Sequence, residues 1–526
     1  MSHTEIATTW APPSGPYNAA VDMVDRNVAE GRGEKIAFID PKRRLTYAEL
    51  AQSCKRFANA LPRLGIARER RIALIMLDTV DFPIVFWGAI KAGVVPVPLN
   101  TLLPNDALAY MIDDARADAV IISNELYDRA APMLHEVAAK RHLHVVVTGE
   151  ARTPGVIELD QLLETSTPDA NAADTRADEV AFWLYSSGST GMPKGTRHLH
   201  ASPIATAKLF AQNVLGLTAG DVVFSAAKLF FAYGLGNGMS FPMSVGATAV
   251  LLPDRPTPDS VRAFMTAHNP TIFCGVPTLY AAMLASQSLG GRAGSARLRL
   301  CTSAGEALPE DIGRRFQHVT GVEVIDGIGS TEMLHIFCSN RPGQVRYGTS
   351  GTPVPGYEAR LLDDDGAPVA PGEIGELVIK GPSAAEGYWL QREKSQQTFR
   401  GAWTHTGDKY RIDQDGYYIY CGRTDDMFKV SGIWVSPFEV ESALITHKAV
   451  LEAAVVGKED TDGLIKPKAF VVLKPGIAND EALFDDLKTH VKAAAGAWKF
   501  PRWIEARPDL PKTATGKIQR FKLRDG

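Results

Sequence analysis

The sequence has few cysteines, no excess of positive charge and no long apolar run, and each shortage excludes a class of protein. Its five cysteines are scattered and never form a C-x-x-C pair, so we expect neither a disulfide framework nor a zinc site. The 56 Lys and Arg against 60 Asp and Glu leave a net charge of −4, which argues against a nucleic-acid binder that relies on bulk positive charge. The N-terminus lacks a basic segment followed by an apolar run, and the apolar residues 81–100 are interrupted by Lys91 and prolines. We therefore expect a cytoplasmic protein.

The chain is long enough for more than one domain. Its 526 residues, 45% of them hydrophobic, exceed what one compact core usually holds. From about residue 34, short β-branched runs such as residues 70–77 and 118–123 alternate with helix-like stretches, a pattern typical of α/β layers. Residues 298–306 predict a strand that passes directly into a loop of small residues. In open α/β sheets, ligands collect beyond the carboxyl ends of such strands.

The residue composition and the predicted secondary structure change twice toward the C-terminus. Between about residues 346 and 425, dense Gly and Pro with turn sequences such as "DQDG" predict a β-rich subdomain. After Arg423 a small α+β unit begins, in which "SPFE" predicts a helix with Ser436 as N-cap and a capping box closed by Glu439. The predicted fold class is therefore α/β: a large N-terminal domain of layered α/β subdomains plus a β-rich subdomain, residues 1–424, and a small α+β domain, residues 425–526.

One stretch, "YSSGSTGMPKG" at residues 185–195, has the composition of a phosphate loop. Backbone N–H groups converge where glycines leave room, while Ser, Thr and Lys add donors and charge. It is not a Walker A loop, because Pro193 precedes Lys194 and Gly195 follows it. For a single Gly/Ser-rich segment, a solvated turn is the simpler interpretation. The choice between a phosphate loop and a turn therefore depends on the other motifs of the chain.

Four further motifs follow the loop: "DGIGSTE" (326–332), "THTGD" (404–408), "GRTDDMFKVSGIWVSPFEVE" (422–441) and "PKTATGKI" (511–518). In this order the series resembles that of the adenylate-forming superfamily, which contains acyl-CoA and aryl-CoA synthetases, peptide-synthetase adenylation domains and beetle luciferases. The resemblance runs from about residue 34 to the end. It implies ATP and coenzyme A as co-substrates and Mg²⁺ as a cofactor. In the implied reaction, a carboxylate first becomes an acyl-AMP with release of pyrophosphate, and a thiol then displaces AMP.

The resemblance assigns nucleotide roles residue by residue. The first loop closes over the β- and γ-phosphates, Thr331 contacts phosphate, and Glu332 helps to hold Mg²⁺. Asp408 accepts both ribose hydroxyls, with Arg423 nearby. The loop residues concerned are Ser186, Ser187, Gly188, Ser189, Thr190, Gly191 and Lys194, and those that flank adenine are Gly305, Glu306, Asp326, Gly327 and Ile328. The family usually has an aromatic residue at the position of Ile328.

Each of these residues also has an ordinary interpretation. Lys194 alone would more often be a surface cation. Glu332 could be a carboxylate at a helix N-terminus, favoured by the helix dipole. Asp408 after a glycine would usually be a turn residue.

The C-terminal domain carries the catalytic and mobile functions that the resemblance implies. Lys517 corresponds to the lysine that stabilises charge in the adenylation transition state, although a lysine near a basic terminus is more often solvated. Asp425 is the expected hinge of this mobile domain. Lys429, Gly432 and Trp434 are candidates for the thioester step. Lys517 is also a candidate for acylation, and a homodimer is one option that the sequence leaves open.

The acid pocket is predicted from the same comparison, in which "DGIGSTEMLHIF" and "FFAYGLGNG" look most like the benzoate–CoA ligases of the superfamily. Apolar walls, with His335 closing the far end, favour a small aromatic carboxylic acid, although apolar residues at such spacings usually fill a core. The pocket residues are Ala232, Tyr233, Ala304, Ile328, Gly329, His335 and Ile336. Adenylation of another aryl or medium-chain acid, loading of a carrier protein, or a non-catalytic nucleotide binder on the same fold stay as alternatives.

Overall fold

The computed structural model describes residues 10–151, 153–186, 192–286, 289–430, 433–461, 464–496, 499–512 and 518–524. The strands up to the middle of the chain are β1 Ile36–Ile39, β2 Arg44–Thr46, β3 Arg71–Ile75, β4 Val95–Pro98, β5 Ala119–Ser123, β6 His144–Thr148, β7 Ile157–Glu158, β8 Val180–Ser186, β9 Lys194–Leu199, β10 Val222–Ser225, β11 Thr248–Val250, β12 Ile272–Gly275, β13 Leu300–Ser303 and β14 Val324–Gly329. The later strands are β15 Ile336–Ser339, β16 Thr352–Pro353, β17 Glu358–Leu362, β18 Gly375–Lys380, β19 Gly387–Tyr388, β20 Phe399–Arg400, β21 Trp403–Ile412, β22 Tyr418–Arg423, β23 Phe428–Val430, β24 Ile433–Val435, β25 Val450–Glu459, β26 Ile465–Leu473 and β27 Trp503–Ala506.

Helices alternate with the strands. The α-helices are α1 Arg26–Ala29, α2 Tyr47–Arg63, α3 Asp81–Lys91, α4 Asn105–Asp114, α5 Asn124–Lys140, α6 Leu159–Glu164, α7 Ser202–Thr206, α8 Ala232–Leu235, α9 Phe241–Val245, α10 Pro258–His268, α11 Pro277–Ala285, α12 Glu310–Thr320, α13 Arg392–Thr398, α14 Pro437–Ile445, α15 Glu481–Ala495 and α16 Phe521–Arg524. Short π-helical segments are Val21–Asp25, Ala207–Gln212 and Gly236–Ser240, and Gly291–Gly294 is a 3₁₀ turn. Within the described part of the chain, no helix has both the length and the apolar character that crossing a membrane requires.

Two large sheets form the α/β layers that the sequence predicts. One has five parallel strands in the order β4-β3-β5-β6-β7. The other has nine strands in the order β16-β15-β14-β13-β12-β10-β11-β1-β2, parallel from β14 to β1 and antiparallel at both edges. Most residues of the inner strands are buried, because helices cover both faces of a parallel sheet. The predicted α/β class is thus confirmed.

The β-rich subdomain is also present. Strands β17, β18, β21 and β20 form an antiparallel sheet to which β22 adds beside β21. A separate small sheet, β19-β9-β8, contains the strands β8 and β9 that precede and follow the predicted phosphate loop.

The C-terminal unit contains the sheet β25-β26-β27 with α14 and α15 packed on it through their buried residues. Ser436 is the N-cap of α14, as predicted, and its Oγ accepts the Glu439 N–H at 3.1 Å. The predicted capping box was wrong in its second half, because the Glu439 carboxylate instead binds Lys499 Nζ at 2.6 and 2.7 Å. An available ammonium group is a stronger partner for a carboxylate than a backbone N–H.

The five cysteines, Cys54, Cys274, Cys301, Cys338 and Cys421, are all buried free thiols. Burial raises the pKa of each of them, so they remain protonated and act as small apolar side chains of the core.

Candidate active site

Residues from distant parts of the chain meet in one cavity of about 1720 Å³. It lies where β13 and β14 end side by side as parallel strands, the edge of a sheet at which ligands collect in this type of fold. The predicted residues that line it are Ser186, Lys194, Gly305, Glu306, Gly327, Ile328, Gly329, Thr331, Glu332, Asp408, Arg423 and Asp425. The cavity therefore joins the loop, the strand ends and the hairpin β21–β22.

Three side chains form what we call the phosphate cluster: Lys194, Glu332 and Tyr388. Tyr388 donates its hydroxyl to Glu332 Oε1 at 2.8 Å. Its ring lies under Lys194, whose Nζ is 4.3 Å from the ring centroid, a favourable cation–π distance. Burial lowers the pKa of Lys194, and the charge of Glu332 opposes this effect. The cluster places a cation and a carboxylate together at the exit of the loop.

The donors here fit a Mg²⁺ ion bound to nucleotide phosphates. Mg²⁺ usually takes one or two protein carboxylates and completes its shell with water and phosphate oxygens, so Glu332 alone can supply the protein's charged ligand. In the part of the chain that the structure describes, no group of three or more His, Cys, Asp or Glu could hold a metal. Ser186 Oγ, on the same cavity, is a buried polar atom without a hydrogen-bond partner among the described residues, as expected of a group that awaits phosphate.

Two of the ordinary interpretations are wrong. Glu332 does not begin a helix, because residues 330–335 form turns and the strand β15 starts at Ile336. Asp408 is not in an isolated turn but within the long strand β21.

The hairpin β21–β22 builds the end of the cavity predicted to bind ribose. Asp408 lies opposite Arg423 in the antiparallel register, and Arg423 Nη1 donates to Asp408 Oδ1 at 3.1 Å and to the Thr406 carbonyl at 2.9 Å. The charge of Asp408 raises the pKa of Arg423. Gly407 has φ +68°, and a Cβ there would lie 3.0 Å from Arg423 Nη2, so the glycine gives the guanidinium room. The Asp408 carboxylate is thereby held in place before a nucleotide binds.

The predicted adenine side consists of a loop and a strand end. Gly305, at φ +95°, and Glu306 follow β13. Ile328 lines the cavity at the end of β14. A Cβ on Gly327 would lie 2.7 Å from the Cys338 carbonyl, so the backbone approaches the neighbouring strand closely at this point.

Asp326 takes a different position from these neighbours. Its side chain is buried below the cavity and does not line it. Oδ2 accepts the Leu308 N–H at 3.3 Å, and burial raises the pKa of the carboxyl to about 8. At neutral pH, Asp326 thus supports the loop after β13 as an uncharged acid.

The predicted acid-pocket residues come together around Tyr233. Its hydroxyl lies 2.7 Å from Thr302 Oγ1, and its carbonyl lies 3.3 Å from His335 Nε2. Ala304 and Ile336 belong to the same buried core, and Ala232 begins α8. Ile328 and Gly329 are the members of the set that also line the large cavity, whereas Ala232, Tyr233, Ala304, His335 and Ile336 are not among its lining residues.

His335 is packed among aromatic rings and glycines. Its ring centroid lies 4.4 Å from that of Phe241. A Cβ on Gly236 would lie 2.4 Å from His335 Cδ2. Burial lowers the pKa of His335 to about 3, so the imidazole is neutral at physiological pH and forms an uncharged wall.

The C-terminal unit reaches the same cavity. Arg520 donates to both carboxylate oxygens of Glu441, at 2.9 and 2.7 Å. Asp425, the predicted hinge, is exposed, and its carbonyl accepts a hydrogen bond from Arg524 at 2.7 Å. Lys512 and Ile518 both line the cavity and pair with each other as an antiparallel bridge. These two residues flank the segment that contains Lys517.

Several predicted residues lie outside the described part of the chain: Ser187, Gly188, Ser189, Thr190, Gly191, Gly432 and Lys517. The strands β23 and β24 place Lys429 opposite Trp434 in register, but the side chains of these two residues are also outside the described set.

Sequence reasoning missed Tyr388 and Thr406. Thr406 lies within "THTGD", and its Oγ1 accepts the Asp408 N–H at 3.1 Å, so the motif itself contained the signal. For Tyr388, the sequence offered only a Gly–Tyr pair in a β-rich segment, which does not indicate a functional role. Its partner Glu332 is 56 residues away in the chain, and no local pattern indicates such a contact.

Comparisons with known proteins agree with this geometry. The chain matches the family described as "AMP-binding enzyme" over residues 25–389 and its "AMP-binding enzyme C-terminal domain" over residues 439–517. It is 58% identical to a benzoate–CoA ligase of Thauera aromatica, covering 97% of this chain and 96% of the relative. A solved benzoate CoA ligase from Burkholderia xenovorans LB400 superimposes with a TM-score of 0.89 at 52% identity, over 97% of this chain and 100% of that one. The anthranilate CoA ligase AuaEII, solved with anthranoyl-AMP, has a TM-score of 0.93 at 44% identity over 98% of both chains.

Proposed function

The chain belongs to the family of AMP-binding enzymes, and on that premise we propose that it is an ATP-dependent benzoate–CoA ligase. It converts benzoate, ATP and CoA to benzoyl-CoA, AMP and pyrophosphate through benzoyl-AMP. The high identity to a benzoate–CoA ligase over nearly the whole length of both chains supports this activity and disfavours the alternatives.

One observation connects the activity with the site: Ile328 and Gly329 line the charged cavity, and the His335 backbone lies directly against Gly329, so a charged end and an apolar end of the proposed site adjoin there. The charged end contains the phosphate cluster and the pair Asp408–Arg423. The apolar end contains the neutral His335. An acid with a flat apolar body and a carboxylate, placed across this junction, would present its carboxylate to the nucleotide.

In the first half-reaction, a benzoate oxygen attacks the α-phosphorus of ATP and pyrophosphate leaves. Lys194 and the loop around it bind the departing phosphates, and Asp408 fixes the ribose. Mg²⁺, held by Glu332 together with phosphate oxygens, would supply charge neutralisation there. Lys517 stabilises the charge that develops between the carboxylate and the nucleotide. Precise placement of the two reactants accounts for much of the rate.

In the second half-reaction, the CoA thiol attacks the benzoyl carbonyl and AMP leaves. A rotation of the C-terminal domain about Asp425 removes Lys517 and brings Lys429, Gly432 and Trp434 to the site. Asp425 is exposed in the hairpin-to-domain connection, which is compatible with a residue that changes its backbone torsions.

The decisive experiment is acid-dependent exchange of labelled pyrophosphate into ATP, over a panel of benzoate, hydroxybenzoates, aminobenzoates and octanoate. We expect benzoate to give the highest kcat/KM, and CoA to convert the adenylate to a thioester without any carrier protein. A clear preference for octanoate would contradict the aryl-acid assignment. Exchange without CoA-dependent product would instead favour a carrier-protein acceptor.

We also propose an oligomeric state, a modification site and a cellular location for the enzyme. The enzyme forms a homodimer, which sedimentation at micromolar concentration tests. Lys517 is a target of acylation, which mass spectrometry of the protein from its native cells tests. It acts in the cytoplasm, which fractionation of the same cells tests.

A further inference from the structure

Tyr388 contacts both charged members of the phosphate cluster, yet none of the roles given above belongs to it. Its hydroxyl binds the Glu332 carboxylate at 2.8 Å, and its ring carries the Lys194 ammonium at 4.3 Å. The side chain is 3% exposed. One buried residue therefore connects the expected metal carboxylate with the cation of the phosphate loop.

The backbone around Tyr388 also connects Glu332 with the segment that contains Lys194. Toward Glu332, the Ala385 N–H donates to the Glu332 carbonyl at 2.8 Å. Toward the loop, the Trp389 N–H donates to the Gly195 carbonyl at 2.8 Å, one residue after Lys194. Residues 385–389 thus form a short bridge between the strand that leaves the loop and the backbone of Glu332, in the turn that follows β14.

Most contacts of Tyr388 do not involve its hydroxyl, which besides Glu332 also has the Thr398 side chain as a hydrogen-bond partner. Its own N–H donates to Ser395 Oγ at 3.0 Å, and the residue pairs with Thr196 in the register of β19 and β9. The ring also packs beside Phe399, with centroids 5.4 Å apart. Phenylalanine would keep these backbone and ring contacts, so they do not require a hydroxyl group here.

A hydroxyl directed at a carboxylate has a specific effect. By engaging Oε1 it fixes the side-chain torsions of Glu332, which lines the cavity. Groups that orient a metal ligand in this way commonly contribute 10- to 100-fold to metal affinity or activity.

We propose that Tyr388 is a positioning residue for the first half-reaction, which holds the Glu332 carboxylate and the Lys194 ammonium in the arrangement that receives the metal-bound triphosphate. The proposal rests on the proposed function for its kinetic consequence, but its binding consequence does not need the acid. Tyr388 has no part in the second half-reaction, in which no triphosphate is present.

The test compares Tyr388→Phe with the wild-type enzyme in three measurements. Calorimetric binding of ATP with Mg²⁺, in the absence of any acid, should weaken by about tenfold, and the Mg²⁺ concentration for half-maximal pyrophosphate exchange should rise by about tenfold. Thioester formation from supplied benzoyl-AMP should stay within about twofold, which also shows that the variant is folded. Tyr47→Phe is the matched control, because that buried hydroxyl binds the Ala247 carbonyl at 2.7 Å and neither residue lines the cavity.

A double-mutant cycle separates positioning from mere packing. If Tyr388 acts through Glu332, the variant Glu332→Gln, Tyr388→Phe should bind ATP with Mg²⁺ no more weakly than Glu332→Gln alone. Additive losses, or a Tyr388→Phe enzyme with wild-type Mg²⁺ dependence, would overturn the proposal. Absence of benzoate-dependent exchange in the wild-type enzyme would instead count against the proposed function, while the calorimetric comparison would still decide the role of Tyr388.

Discussion

The two ends of the proposed site, the charged cavity (the nucleotide end) and the buried set around His335 that adjoins it (the acid end), treat ionisable groups in opposite ways. At the nucleotide end, charged groups are kept and paired: Lys194 with the Tyr388 ring and Glu332, and Arg423 with Asp408 at 3.1 Å. At the acid end, the ionisable group His335 is kept neutral, since burial lowers its pKa to about 3. Buried charges need partners, whereas a titratable group without one loses its charge.

This difference matches what each end is proposed to bind. Fixed charges and dipoles that are already oriented stabilise a triphosphate without reorganisation during the reaction. A flat apolar ring gains from leaving water and would be opposed by a charged wall. The comparison predicts that changes at one end should alter the kinetic parameters of one substrate and leave those of the other nearly unchanged.

The largest effect should come from removing Lys517, the proposed catalytic cation of the C-terminal domain. Lys517→Ala should slow adenylation by about 100- to 1000-fold, because transition-state charge would lose its stabilisation. Thioester formation from supplied benzoyl-AMP should remain near the wild-type rate. Single-turnover measurements of each half-reaction check this, and equal losses in both would remove Lys517 from its role.

Asp408→Ala should remove the hydrogen bonds proposed between the protein and the ribose at the nucleotide end. We expect kcat/KM for ATP to fall about 10- to 100-fold, since hydrogen bonds to a charged group are lost, while KM for benzoate changes less than about twofold. Asp415→Ala, at the exposed turn of the same hairpin, is the matched control. A comparable loss for both substrates would mean that Asp408 holds the fold rather than the nucleotide.

His335→Ala should give the converse result at the acid end. Truncation of a buried wall should lower kcat/KM for benzoate by about tenfold and admit benzoates substituted at the 4-position, with KM for ATP unchanged. Gly236→Ala should move the same ring by crowding it, since the new Cβ would lie 2.4 Å from His335 Cδ2. If neither variant alters the order of preference among acids, His335 does not border the acid.

The smallest effect concerns Asp326, an acid that is buried below the nucleotide end and does not line it. Its pKa is about 8 in the folded state against about 4 in an unfolded chain. The folded protein thus retains a proton that the unfolded chain releases, so stability falls as pH rises from about 4 to 8. Asp326→Asn removes this loss, and its melting temperature should exceed that of the wild type by about 2–4 °C at pH 8 but not at pH 4. If the melting-temperature difference between Asp326→Asn and the wild type instead decreased with rising pH, Asp326 would be ionised in the folded protein.

Much of the architecture was predictable because it rests on local patterns. The buried strand of residues 70–77 appears as β3, and the strand predicted from residues 298–306 appears as β13, followed by its loop. The β-rich character of residues 346–425 follows from turn residues whose backbone preferences act within a few positions. The capping box of α14 was only half right, because Lys499 binds Glu439 from a distant part of the chain.

The sequence by itself determined which chemical groups are available, and their order in five motifs indicated the family. Only the tertiary structure decided their states and partners. It joined Tyr388 to Glu332, buried Asp326 beneath the loop instead of at its surface, and kept His335 neutral. The reason is physical: strand and turn preferences act between neighbours in the chain, whereas hydrogen-bond partners, burial and pKa depend on residues that only folding brings together.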